Sequence, residues 1–217
     1  MYFIGLFIMT IGIALSVKSN LGVSPVSSIP YTMTCIWGIE MGKATIIFHI
    51  VLVFIQFLLL RKNFKLITLL QIPVGVIFGY FTTFCNYLAS FFPTPDNLIV
   101  RILMVLASSV IVAVGIFLYL PADVIPLAGE GVMSAVSQVT KIKMGFDITM
   151  VVVSAAACLI MIHSLGSVGA GTVIAAFLVG FILGIINKAF GKYRDKLLKK
   201  TPSVQVDKKT DDEQNPT

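Results

Sequence analysis

Six stretches of this chain are long and apolar enough to cross a bilayer, and no other feature limits its fold as severely. A crossing helix needs roughly 20 apolar residues, with a range of about 17–25. Runs at about 2–17, 44–60, 66–90, 99–120, 148–163 and 169–187 meet or approach that length. Lipid offers no partner to backbone N–H and C=O groups, so each run is expected to be a helix. Composition agrees: 57% of the residues are hydrophobic and 12% charged, where soluble domains carry roughly 25% charge. The expected fold class is all-α, a polytopic membrane protein. The opening run "MYFIGLFIMTIGIALSV" lacks a basic lead and a small-residue cleavage site, and is read as a retained first span.

Two further segments, about 24–39 and 127–140, are shorter and mix Ser, Thr, Gly and Pro into the apolar residues. They read as broken, re-entrant or interfacial helices. Lys and Arg in short loops mark the cytoplasmic side. With six crossings, "RKNFK" (61–65), Lys141 and Lys143 fall inside together with both termini, while "SFFPTPDN" (90–97) and "HSLGS" (163–167), which lack Lys and Arg, fall outside. Lys18 and Lys43 are exceptions on the outer side. The basic residues from Lys188 to Lys209 lie at or beyond the last run, as an anchor beside anionic headgroups and not as a nucleic-acid surface.

The chain repeats itself weakly. Laying "IMTIGIALSVKSN" on "VIVAVGIFLYLPAD" puts Gly12 on Gly115, Leu15 on Leu118 and Asn20 on Asp123, and Met41 with Gly42 falls on Met144 with Gly145 at the same offset. With two residues of slippage, "GVIFG" (75–79) meets "GFILG" (180–184). Each half then reads as span, broken segment, span, span, and an odd number of crossings inverts the second copy. The expected organisation is a first membrane repeat over 1–97, a second over 98–190, and a basic then acidic tail over 191–217. If both short segments crossed, the halves would be parallel four-span units.

Irregular backbone at membrane depth survives only where protein buries it or water reaches it. Pro25, Pro30, Pro121 and Pro126 break the helices, while Gly129 and Gly131 relax the backbone, so these segments are the expected cavity walls. Glu130 is the leading site residue, since an ionisable group in a membrane domain suggests ion coupling or a cationic partner; a solvated cap at the interface is the other reading. Asp123, Ser24, Ser27 and Ser28 join it as substrate or ion ligands, though serines also pack between helices. His49, on one helical face with Gln56, is either part of an internal polar stripe or an ordinary interhelical hydrogen bond. The pairs Gly75 with Gly79 and Gly180 with Gly184 are expected to pack helices closely, within one chain or in a homodimer.

Cys35, Cys85 and Cys158 have neither metal-ligand spacing nor a CxxC pattern, so buried inert thiols are expected, with no metal and no cofactor. No HExxH, GxSxG or Walker loop occurs, and an enzyme is not expected.

The pattern "GIALSVKSNLGVSPVSSIPYTM", with Asp123 followed by "PLAGEG" in the second half, resembles the YczE/YitT-like family of bacterial integral membrane proteins, over most of residues 1–190. No counterpart of the soluble C-terminal domain of some YitT members is present, which favours the YczE side. The resemblance implies a multi-pass protein of the bacterial inner membrane, in a group some of whose members are linked to secreted peptide antibiotics. The expected function is a small-molecule or ion transporter or exporter with its site between the repeats; the other reading is a non-transporting accessory protein that assists biosynthesis or export.

Overall fold

The structure, a computed structural model, describes residues 1–61, 64–119, 125–140 and 170–197. Every regular element among them is helical: α1 (Tyr2–Ser19), α2 (Pro25–Trp37), α3 (Met41–Leu60), a 3₁₀ turn (Leu66–Leu70) that runs into α4 (Gln71–Ser90), α5 (Leu98–Tyr119), α6 (Ala128–Thr140) and α7 (Ala170–Leu197). Four helices, at Tyr2–Ser19, Met41–Leu60, Leu66–Ser90 and Leu98–Tyr119, are long and apolar enough to cross a membrane. The chain is accordingly an all-helical membrane protein. The run expected at 148–163 lies outside the described residues, as do Cys158 and the loop lysines Lys141 and Lys143. Helix α7 continues to Leu197, into the stretch expected to be tail, because no proline interrupts it before that point.

The centre of the bundle is the pairing of α1 with α5. Helices in lipid gain no hydrophobic energy from each other and are held by close packing, which small residues permit. A methyl placed at Gly12 would lie 2.7 Å from a Val112 methyl and 2.9 Å from the Ser108 carbonyl. One at Gly115 would lie 2.7 Å from the Met9 nitrogen and 2.9 Å from the Gly5 carbonyl. The helices therefore touch backbone to backbone, and because Gly5 meets Tyr119 while Gly12 meets Ser108, they run antiparallel. Tyr2, Leu6, Met9 and Ile13 join Val112 and Tyr119 in the larger apolar core, which Val74 and Phe78 of α4 complete.

Contacts along α4 fix the other directions. Phe7 stacks near Phe81 and Phe84, and Thr10 shares a 3.3 Å hydrogen bond with Cys85, so α4 runs parallel to α1. Gly42 faces Thr83, His49 faces Gly75, and Gln56 bonds Gln71, so α3 runs antiparallel to α4. The end of α1 and the start of α3 thus share one end of the bundle, here the Asn20 end, and α2 is entered and left from that end without crossing. Asn20 stops α1 in the left-handed conformation at φ 52°, and Gly38 stops α2 at φ 65°, both conformations that suit a helix C-terminus. Trp37, 59% exposed at the end of α2, occupies the interfacial level where Trp is favoured.

Pro73 lies in the first turn of α4, directly after the 3₁₀ turn, where its missing N–H costs little. Two expectations change. Gly75 and Gly79 do pack closely, against His49 and against Gly42 with Ile46, whereas Gly180 and Gly184 meet no atom within 4 Å among the described residues. Cys85 is buried but Cys35 is exposed, because it faces away from the bundle on α2. On this packing, Gly12→Val should destabilise the folded protein by about 1–3 kcal/mol through forced separation of α1 and α5. Gly184→Val should stay within about 0.5 kcal/mol of the parent. Thermal unfolding of the two variants in the same detergent checks both values.

Candidate functional site

Ile125–Leu127 lead into α6. Pro126 is exposed while Leu127 and Ala128 are buried, so the lead-in dips from surface to core within two residues. Tyr2, in the first turn of α1, holds that lead-in by donating its phenol hydrogen to the Ile125 carbonyl at 2.7 Å. Small residues then let the first turn of α6, "AGEG", press against the ends of α3 and α4. A methyl at Gly131 would lie 2.4 Å from Gln56 Oε1 and 2.6 Å from Gln71 Nε2, so any larger residue there would require the two amide ends to move.

The two glutamines are 2% and 3% exposed, and buried amides need partners. Gln56 Nε2 donates to Gln71 Oε1 at 2.8 Å and to the Ala128 carbonyl at 3.1 Å, which uses both of its N–H groups. Glu130 stands in the same first turn, where the positive end of the helix dipole favours a carboxylate. The Tyr119 hydroxyl donates to Glu130 Oε1. Glu130, Tyr119, Tyr2, Gln56 and Gln71 form one polar group at the Met1 end of the bundle. A carboxylate in such a setting can hold a cation or a proton and exchange it with a change in its hydrogen bonds, since a partly buried charge without a partner is costly.

The other short segment forms a second polar group. Beyond Asn20 the chain turns inward: Val23 is 1% exposed, and Ser16 Oγ donates to the Gly22 carbonyl at 3.1 Å. Pro25 is the first residue of α2, a position where a proline's missing N–H leaves no bond broken. Ser24, Ser27 and Ser28 are all buried, and so is Pro30, which does not break the helix as expected but lies inside the continuous α2. Ser24 Oγ donates to Ser27 Oγ at 3.3 Å, and Thr32 Oγ1 to the Ser28 carbonyl at 2.8 Å. Arg101, in the first turn of α5, donates to the carbonyls of Ser19, at 2.6 Å, and of Asn20, so it holds the lead-in to α2 much as Tyr2 holds that to α6. An apolar cluster of Phe48, Leu52, Val53, Ala128 and Val132, with Ile29 packed on it, joins the first turns of both short helices through α3.

His49 belongs to neither group. Its Nδ1 bonds the Thr45 carbonyl at 2.8 Å within α3, and its ring lies against Phe48, Phe78 and Gly75. Gly129 is buried in the first turn of α6. Asp123 and Pro121 lie outside the described residues. No group of three or more His, Cys, Asp or Glu that could hold a metal occurs among the described residues. Gln71, Tyr119 and Tyr2 escaped the reading of the sequence. A lone amide inside an apolar run was a usable sign for Gln71, but nothing marks a tyrosine at a helix end as the partner of a distant carboxylate.

Gly131→Ala should push the two glutamines apart and destabilise the protein by about 1–3 kcal/mol. Gly38→Ala, at an exposed helix end, serves as the control in the same thermal melt, with its own smaller cost from the positive φ.

No curated protein matches the chain, and no solved structure does. One family model, described as a family of unknown function, DUF6198, matches residues 1–188. The match spans both short helices, their lead-ins and every span between them, and the chain therefore belongs to DUF6198.

Proposed function

We propose that this protein is a small secondary transporter of the bacterial inner membrane, that its two halves are inverted repeats, and that Glu130 binds the transported or coupling cation. The observation that carries the reading is a carboxylate in the first turn of a short helix that does not span the bundle, held by Tyr119 beside a buried amide pair. Discontinuous helices that meet at a repeat interface are where such transporters bind substrates and ions.

Symmetry of the contacts supports the inverted repeat. The offset that lays Gly12 on Gly115 also lays Met9 on Val112 and Gly5 on Ser108, and Gly12 packs on Val112 and Ser108 as Gly115 packs on Met9 and Gly5. The same offset lays Pro25–Trp37 on Ala128–Thr140, the bounds of α2 and α6. The antiparallel course of α1 and α5, with α2 not crossing, requires an odd number of crossings in the first half. Arg61 and Lys65 lie at the Met1 end, and counted with Lys62, Lys141, Lys143 and the basic residues from Lys188 onward they favour cytoplasmic termini in this reading. In this reading Arg101 and Tyr2 tie down the two short helices at opposite ends, and release of one tie at a time opens the site to one side. The similarity to YczE/YitT-like proteins supports the membrane and the multi-pass plan.

A panel of small inorganic and organic cations, each added at millimolar concentration to the purified protein, tests the site. At least one should raise the melting temperature of the parent, because a ligand that binds the folded state stabilises it, and Glu130→Gln should abolish that rise while melting normally without ligand. A panel with no hit, or a rise equal in both proteins, refutes the assignment and favours an accessory, non-transporting role. Tyr2→Phe, which removes the tie to Ile125, should in addition increase maleimide labelling of a cysteine placed at Ser134 on α6 in intact membranes.

A further inference from the structure

A groove of about 700 Å³ runs between α1, α4 and the start of α5, well away from the Glu130 group. Its wall is formed by Phe7, Ala14, Cys85, Ala89 and Met104, Phe92 and Pro93 line it toward the Asn20 end, and the cation that lines it is Lys18. Three cations of the described residues stand at this Asn20 end. Lys43 is answered by Glu40 at 3.7 Å, and Arg101 is spent on the carbonyls of Ser19 and Asn20. Lys18 has no acidic partner among the described residues. Arg101 brings a second positive charge to the turn directly after Lys18, so the mouth of the groove suits an anion.

Depth matches the same ligand. From Lys18 down to Phe7 the wall of α1 extends about 16 Å at 1.5 Å per residue, and half of a hydrocarbon core is about 15 Å. We infer that the groove binds one acyl chain of an anionic phospholipid from the leaflet at the Asn20 end, with its phosphate at Lys18. The apolar wall takes the chain, and the Lys18 ammonium takes the headgroup, with the Arg101 charge nearby adding to the positive field. A zwitterionic lipid fills the groove equally well but gains less at its mouth. The inference does not depend on transport.

Native mass spectrometry of the full chain, released from mixed micelles with equal phosphatidylglycerol and phosphatidylcholine of identical acyl chains, tests it. The parent should retain phosphatidylglycerol several-fold over phosphatidylcholine. Lys18→Gln should weaken that retention roughly fivefold, the loss of one cation beside a headgroup. Ala89→Phe, which fills the groove and keeps the charge, should remove retention of both lipids. Equal retention of the two lipids by the parent, or an unchanged preference in Lys18→Gln, overturns the inference. So does a free fatty acid held in place of the phospholipid. A melting temperature for each variant near the parent's separates lost binding from lost folding.

Discussion

Backbone contact between α1 and α5 is the constraint on which the rest of the architecture rests. In lipid two helices stay together only if their surfaces fit closely, and Gly5, Gly12 and Gly115 remove the side chains that would hold these two apart. Their approach sets Tyr2 beside Tyr119 and brings Arg101 to the end of α1. Both lead-ins to the short helices are thus held by residues of this pair. Displacing α1 from α5 would release the polar group around Glu130 and the turn at Asn20 together.

Most helices were legible before any coordinates, because hydrophobic length is a physical requirement of the bilayer and not a preference. The short helices α2 and α6 were visible for the complementary reason: proline, glycine and serine at membrane depth require protein around them. What the sequence could not resolve was which small residues face a neighbour. Gly75 and Gly180 each belong to a Gly-x-x-x-Gly pair, yet one is packed on His49 and the other meets no atom within 4 Å among the described residues. The spacing reports a flat helical face, and only the neighbouring helix decides whether the flatness is used. Cys35 illustrates the same point, since its exposure depends on the side of α2 it occupies. Glu130 was legible as an acid out of place, whereas its neighbours Gln71 and Tyr119 come from distant parts of the chain.

The amide pair explains why α6 starts where it does. Gln56 and Gln71 satisfy each other first, and the remaining donor of Gln56 reaches the Ala128 carbonyl. That arrangement fixes the first turn of α6 against α3 and α4, with Gly131 leaving room for the two amide ends. Glu130 is then presented to Tyr119 by a rigid backbone rather than by a flexible loop. A site built this way tolerates change at the far end of α6 better than at its first turn.

The contact between α1 and α5 has one more property. Gly12 meets the neighbours of Gly115, and Gly115 meets those of Gly12, residue for residue along the offset. Such reciprocity defines an isologous interface, in which one surface is complementary to a copy of itself. A chain of half this length, carrying one such helix, could build the same contact by pairing with its own twin inserted the other way up. If the halves are the inverted repeats proposed above, the protein makes within one polypeptide the junction that two identical molecules would otherwise assemble, and gains the freedom to let the two sides diverge: a carboxylate on one short helix, a serine cluster on the other.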